Sequence, residues 1–207
     1  MAPRRVLMLA LFLSYPLLVH LGVLFEQRPL QWLALQALFA AIFFNLLSQL
    51  RIAIWVLWLL FAAVTAALMA SGGGIYALYV PPLALLALAF SGFAQSLASG
   101  RTPLVTQMAV AIHGELSPPL LRHTRQVTQL WAMNLAAMFV IALVLSVTGP
   151  RTVWSLFTNL INYLWMGAIF AGEYAYRRWR FPEHDRDGFI GYLRKLIGQA
   201  HRFRSMR

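Results

Sequence analysis

Residues 52–70 read IAIWVLWLLFAAVTAALMA, a run without a single charge. At about 1.5 Å of rise per residue, such a run as a helix covers the roughly 30 Å of a bilayer's hydrocarbon core. A soluble helix of this length needs a polar face, and this one has none. The run therefore places the chain in a membrane. Working outward, the 207 residues are 60% hydrophobic and only 11% charged, and the mean hydropathy is +0.68. Soluble domains are about half apolar and about a quarter charged.

Five further apolar runs predict an all-α, polytopic membrane helical bundle of about six spans. The first covers 6–25 and contains Pro16 and His20. Met1-Ala-Pro-Arg-Arg ahead of it imitates a signal peptide, but no small-x-small site follows before Glu26, so the run is read as a span. A turn at Glu26-Gln-Arg-Pro29 leads to the second span, 30–47, and Ser71-Gly-Gly-Gly74 follows the third. Glycines there allow the positive φ that a tight reversal requires. The fourth span, 76–93, carries Pro81-Pro82, which either kinks it or marks its start. The fifth and sixth cover 131–147 and 153–172. The expected organisation is a bundle over 1–172, including a cytoplasmic loop at 95–128, and a basic cytoplasmic tail over 173–207.

With six spans and both termini cytoplasmic, fifteen of the seventeen Lys and Arg residues lie inside, and only Arg28 and Arg151 lie outside. The positive-inside rule thus predicts a bacterial inner-membrane protein with its N- and C-termini in the cytoplasm. Trp32, Trp55, Trp58, Trp154 and Trp165 fall near span ends, as an aromatic belt would. The net charge of +11 is assigned to anionic membrane lipids and not to nucleic acid, because the basic residues flank apolar spans. There is no cysteine, which excludes disulfides and thiolate metal sites. No pattern for a metal or a cofactor is present.

The polar loop is richest in candidates. Leu104, Val105, Met108, Ala109 and Ile112 recur at helical spacing while Thr106, Gln107 and His113 turn away, which predicts a short amphipathic surface helix. Ser117 before Pro118-Pro119 predicts a new helix running into the fifth span. On it, Arg122, Arg125, Gln126 and Gln129 share one face, opposite Leu120, Thr124, Val127 and Trp131. Arg122 and Arg125, with Arg101, are candidates for gripping a phosphate or anchoring to anionic lipid. His113 and Glu115 are weak candidates for a general base and its orienting partner, or are solvated surface. Neither His113 nor His123 has an acid at the four-residue gap of the HxxxxD acyltransferase motif.

In the sixth span Asn159, Asn162, Met166, Phe170 and Glu173 form one polar stripe, which Asn134 and Asn45 are placed to face. It is read as helix-to-helix amide bonding or as a polar pathway. Arg177 at i+4 offers Glu173 a surface ion pair. His20 is read as hydrogen-bonded within the bundle, not as a metal ligand. Beyond Pro182, Phe189, Ile190, Leu193, Leu196, Ile197 and Ala200, flanked by Arg194, Lys195 and Arg202, predict a basic amphipathic helix on the membrane.

Gly100-Arg-Thr-Pro-Leu-Val-Thr106, His113-Gly-Glu-Leu-Ser-Pro-Pro119, Arg125-Gln-Val-Thr128 with Trp131, Trp154-Ser-Leu-Phe-Thr-Asn159 and Gly172-Glu-Tyr-Ala-Tyr-Arg-Arg178 with Phe181-Pro182 together resemble a family of bacterial inner-membrane proteins. Its members occur in gene clusters for aryl polyenes and related polyketide-like lipids. The resemblance covers about 95–195. It implies a setting of polyene-lipid synthesis or export beside ketosynthases, acyl carrier proteins and acyltransferases. The name ketosynthase, attached to similar sequences, does not suit a chain without a nucleophilic cysteine.

Three functions are compatible with these residues. An accessory protein organises cytoplasmic biosynthetic enzymes or an acyl carrier protein at the membrane. A lipid carrier or flippase uses Asn159, Asn162 and Glu173. An acyl- or glycosyl-transferring enzyme uses His113 with Arg122 and Arg125. The lack of a catalytic constellation ranks them in that order.

Overall fold

The computed structural model describes residues 3–49 and 51–181, with the side chains of the first few residues and of His113 outside that description. Among the described residues every regular element is a helix. In order they are α1 (Pro3–Leu24), α2 (Arg28–Ile42), α3 (Phe44–Ser48), α4 (Ile52–Ala70), α5 (Gly74–Ser96), α6 (Leu104–His113), α7 (Pro118–Thr148), α8 (Arg151–Leu156), a π-helical turn (Phe157–Ile161) and α9 (Asn162–Arg180). Five helical stretches are long and apolar enough to cross a membrane: Val6–Leu24, Ile52–Ala70, Gly74–Ser96, Pro118–Thr148 and Arg151–Arg180. Large apolar side chains such as Leu13, Leu59, Leu88 and Val147 point outward, as they do where lipid replaces water as the solvent.

The stretch expected to form a second span differs. Helix α2 has 15 residues and ends at Phe43, whose backbone leaves the helical region before α3 begins. At about 22 Å, α2 alone is short of the hydrocarbon thickness. Pro81 and Pro82 also resolve differently from one of their two readings. They lie inside α5, which starts seven residues earlier at Gly74. Each lacks an N–H to donate to the preceding turn.

The chain divides into two compact units. The first comprises 1–85 and 140–163. Its core joins Tyr15, Val19 and Val23 of α1 to Ala34 and Leu35 of α2, Met69 of α4, Ile75, Leu78 and Tyr79 of α5, and Trp154 of α8. Trp154 is completely buried, with its ring centroid 4.5 Å from that of Tyr79 at a steep angle. It is a core residue and not part of an aromatic belt. Helices α1 and α2 close a tight hairpin at Gly22, whose carbonyl accepts the backbone N–H of Gln27 at 2.9 Å and the side-chain amide of Gln31 at 2.8 Å. A Cβ on Gly22 would lie 2.9 Å from the Gln31 backbone nitrogen, so the position has room only for glycine. Gly72, at φ 82°, makes the reversal between α4 and α5. Buried Gln36 donates to Thr65 at 3.1 Å and Trp32 donates to the Ala62 carbonyl at 3.0 Å, so α2 and α4 are joined by side-chain hydrogen bonds. Such bonds join helices where apolar contact gives little preference over lipid.

The second unit comprises 86–139 and 164–207, described as far as Phe181. Helix α7 starts at Pro118 directly after Ser117 and runs unbroken to Thr148, with its two prolines in the first turn, where a missing N–H costs nothing. The predicted amphipathic tail helix and its residues 189–202 lie outside the described residues. Helix α9 itself continues through 172–173 to Arg180.

Candidate functional site

In the second unit, α6 is bound to α7 through hydroxyl groups. The first two N–H groups of α6, which have no partner inside a helix, donate to side chains: Leu104 N–H to Ser96 Oγ at 3.0 Å and Val105 N–H to Thr128 Oγ1 at 3.2 Å. Thr106 Oγ1 and Thr124 Oγ1 lie 2.8 Å apart, and Thr128 donates on to the Thr124 carbonyl. Thr106, Thr124 and Thr128 are all buried, whereas Met108 and Val110 are exposed. The face predicted to turn away through Thr106 is therefore the docked one. The physical reason is the hydroxyl partners: Thr106, Thr124 and Thr128 are buried where their polar atoms find hydrogen bonds.

Helix α7 sorts its residues sharply. Leu120, His123, Thr124, Val127 and Thr128 are buried, while Arg122, Arg125, Gln126 and Gln129 are exposed. The arginine face predicted from spacing is present as an open surface, and neither Arg122 nor Arg125 forms an ion pair among the described residues. Arg101 and Glu115 are exposed in the segments flanking α6. His113 is the last residue of α6, and nothing is described of its side chain.

The histidine that meets a carboxylate is His123. Its Nε2 lies 3.3 Å from Glu173 Oε1, and Arg177 Nε approaches the same oxygen at 3.4 Å. The three side chains are mostly shielded, at 10%, 13% and 14% exposure. Tyr176 and Phe181 flank the imidazole with ring centroids 5.5 and 5.3 Å away. Neutral His123 donates to Glu173 when its proton is on Nε2, which leaves Nδ1 as the acceptor. One carboxylate oxygen thus holds a cation on its own helix and a ring on α7. The i+4 pairing of Glu173 with Arg177 was readable in sequence. The His123 contact, fifty residues away, was not.

Of the polar stripe read on the last span, Asn159 and Asn162 are buried in the first unit, and Met166, Phe170 and Glu173 are half-buried in the second. Asn134 is taken up elsewhere: its Oδ1 accepts from Trp165 Nε1 at 3.1 Å, and its amide donates to the Leu130 carbonyl. Asn45 is exposed.

In the first unit, the amides of the stripe lie beside a feature without a sequence signal. The chain widens into a π-helical turn over Phe157–Ile161, closed by Asn162 N–H donating to the Phe157 carbonyl. Phe157, Thr158 and Asn159 are consequently buried in succession, more than one face of an α-helix presents inward. Asn159 Nδ2 has three acceptors within 3.3 Å: the Ser155 carbonyl, Ser155 Oγ and Thr158 Oγ1. Ser155 Oγ in turn lies 3.2 Å from His20 Nδ1 on α1. His20 is thereby hydrogen-bonded within its unit. Among the described residues no group of three His, Asp or Glu side chains is placed to hold a metal. Compared with family models, with curated proteins and with solved structures, the chain matches none.

Proposed function

We propose that this protein is an integral inner-membrane accessory component that supports synthesis of an aryl-polyene-like lipid at the cytoplasmic face, by docking an acidic acyl carrier protein or a carrier-bound synthase. The observation that carries the reading is the exposed Arg122 and Arg125 pair, without a carboxylate partner among the described residues, on a helix whose other face is occupied by α6. A basic face held rigidly at the membrane surface attracts acidic partners and anionic lipid headgroups. The family resemblance supplies the biosynthetic setting. The expected result is that purified protein in nanodiscs of uncharged net composition captures acyl carrier protein, and that Arg122→Glu with Arg125→Glu weakens capture by about tenfold or more. Equal capture by the variant rejects the docking face.

The proposed topology places both termini in the cytoplasm and counts α2 with α3 as a sixth, interrupted crossing. If α2 and α3 do not cross, only Arg4, Arg5 and Arg28 change sides, and the loop bearing Arg101, Arg122 and Arg125 stays with the basic tail. What favours six crossings is the cytoplasmic placement of Arg4 and Arg5. A fluorescent-protein fusion at the N-terminus is expected to glow, and an alkaline phosphatase fusion there to be inactive. The reverse pattern replaces six crossings by five.

A further inference from the structure

Helices α7 and α9 run antiparallel within the second unit, because Asn134 meets Trp165 while His123, earlier on α7, meets Glu173, later on α9. Seen from the end where α7 begins, residues therefore advance clockwise around α7 and counter-clockwise around α9. His123 and Glu173 face each other across the pair. At about 100° per residue, Arg122 and Gln126 lie to one side of His123, and Thr124, against which α6 is docked, lies to the other. Tyr176 and Trp179 lie to the same side of Glu173. The two helices thus share one open face, with Arg122, Arg125 and Gln126 from α7 and Tyr176 and Trp179 from α9 all exposed. Ring centroids step from His123 to Tyr176 in 5.5 Å and from Tyr176 to Trp179 in 6.2 Å, so the aromatic pair adjoins the basic residues. Trp179 is 77% exposed.

This face stands clear of the bilayer. Helix α7 has 31 residues, about 46 Å, against about 30 Å of hydrocarbon. The excess lies at the end carrying the arginines, since residues 130–148 hold no charge. With the hydrocarbon boundary near Gln129, Arg122 stands about 10 Å beyond it, past a headgroup layer of about 5–8 Å. Tyr176 and Phe181 share the level of His123, and Trp179 falls between them in sequence. A tryptophan held there meets water, whereas an interfacial anchor sits among the headgroups. Exposed Trp and Tyr beside Arg is the composition of protein interfaces, in which such residues supply the anchors.

We infer that the docking face extends from α7 across the last turns of α9, and that its occupant is a water-soluble acidic protein with an apolar recess that takes up Trp179. Arg122 and Arg125 supply the charge complementarity, and Trp179 supplies the buried apolar contact that charge alone does not. This rests on the docking reading and adds to it the second helix and the shape of the partner.

The test titrates purified acyl carrier protein onto the full chain in nanodiscs of uncharged net composition. Trp179→Ala, a change at an exposed position, is expected to weaken binding about tenfold, with the variant as monodisperse and as helical as the parent. The chain has no cysteine, so a spin label on Trp179→Cys reports one position; it should be more accessible to an aqueous nickel complex than to oxygen, and a label on Val147→Cys the reverse. Binding by Trp179→Ala within twofold of the parent, while Arg122→Glu with Arg125→Glu loses it, confines the face to α7 and overturns this inference alone. A label at 179 favouring oxygen makes the tryptophan a lipid anchor and also overturns it. No binding by the parent chain rejects the docking reading, and this inference with it.

Discussion

Trp154→Ala is expected to destabilise the first unit by about 3–5 kcal/mol, the usual range for emptying a fully buried aromatic site. The side chain has no exposed surface, lies edge-on to Tyr79 and shares its core with Tyr15, Val19, Leu78 and Met69. In lipid the loss is chiefly one of packing, because the surrounding acyl chains are as apolar as the core they would replace. Trp154→Phe keeps an aromatic ring beside Tyr79 and should recover more than half of the loss. Unfolding of the purified protein in mixed micelles, followed by circular dichroism, measures both. A cost below about 1 kcal/mol for the alanine variant would mean that helices α1, α5 and α8 do not meet around this ring.

The second large effect is expected at Glu173. Glu173→Leu removes the mostly shielded carboxylate that Arg177 and His123 share. Breaking a buried charged pair from one side costs about 3–5 kcal/mol, and the remaining exposure of these groups reduces that to about 2–3 kcal/mol. Glu173→Gln, which still accepts a hydrogen bond, should lose about half as much. The specific sign of the contact is non-additivity: His123→Leu combined with Glu173→Leu should cost less than the sum of the single changes. Strict additivity in the same unfolding assay would show that the two side chains do not interact.

The membrane class was legible because an uncharged run has few other solutions. Helix α4 occupies the same residues, Ile52–Ala70, that hydropathy alone marks out. The start of α7 was legible from Ser117-Pro118-Pro119, since proline chemistry is local. The break of the second span was not, because Phe43 is an ordinary apolar residue with neither glycine nor proline beside it. The docking of α6 through Thr106 was not legible, since spacing placed Thr106 with Gln107 on the face turned away and gave no sign of its partner Thr124. Around the candidate sites, spacing placed Arg122 and Arg125 on one exposed face of α7. Spacing does not reveal tertiary partners: His123 meets a carboxylate from another helix, and the π-turn at Phe157–Ile161 has neither glycine nor proline to mark it.

The Gly22 contact has a mechanical consequence. Gln31 fills the space where a Cβ would be and hydrogen-bonds the Gly22 carbonyl. Ratcheting α2 along α1 by one turn, about 5.4 Å, would bring Gln31 opposite Leu18 or Glu26, where side chains stand in its way. The two helices are keyed in register at a single tooth. The hairpin therefore translates and tilts as one piece, and sliding between its arms is blocked.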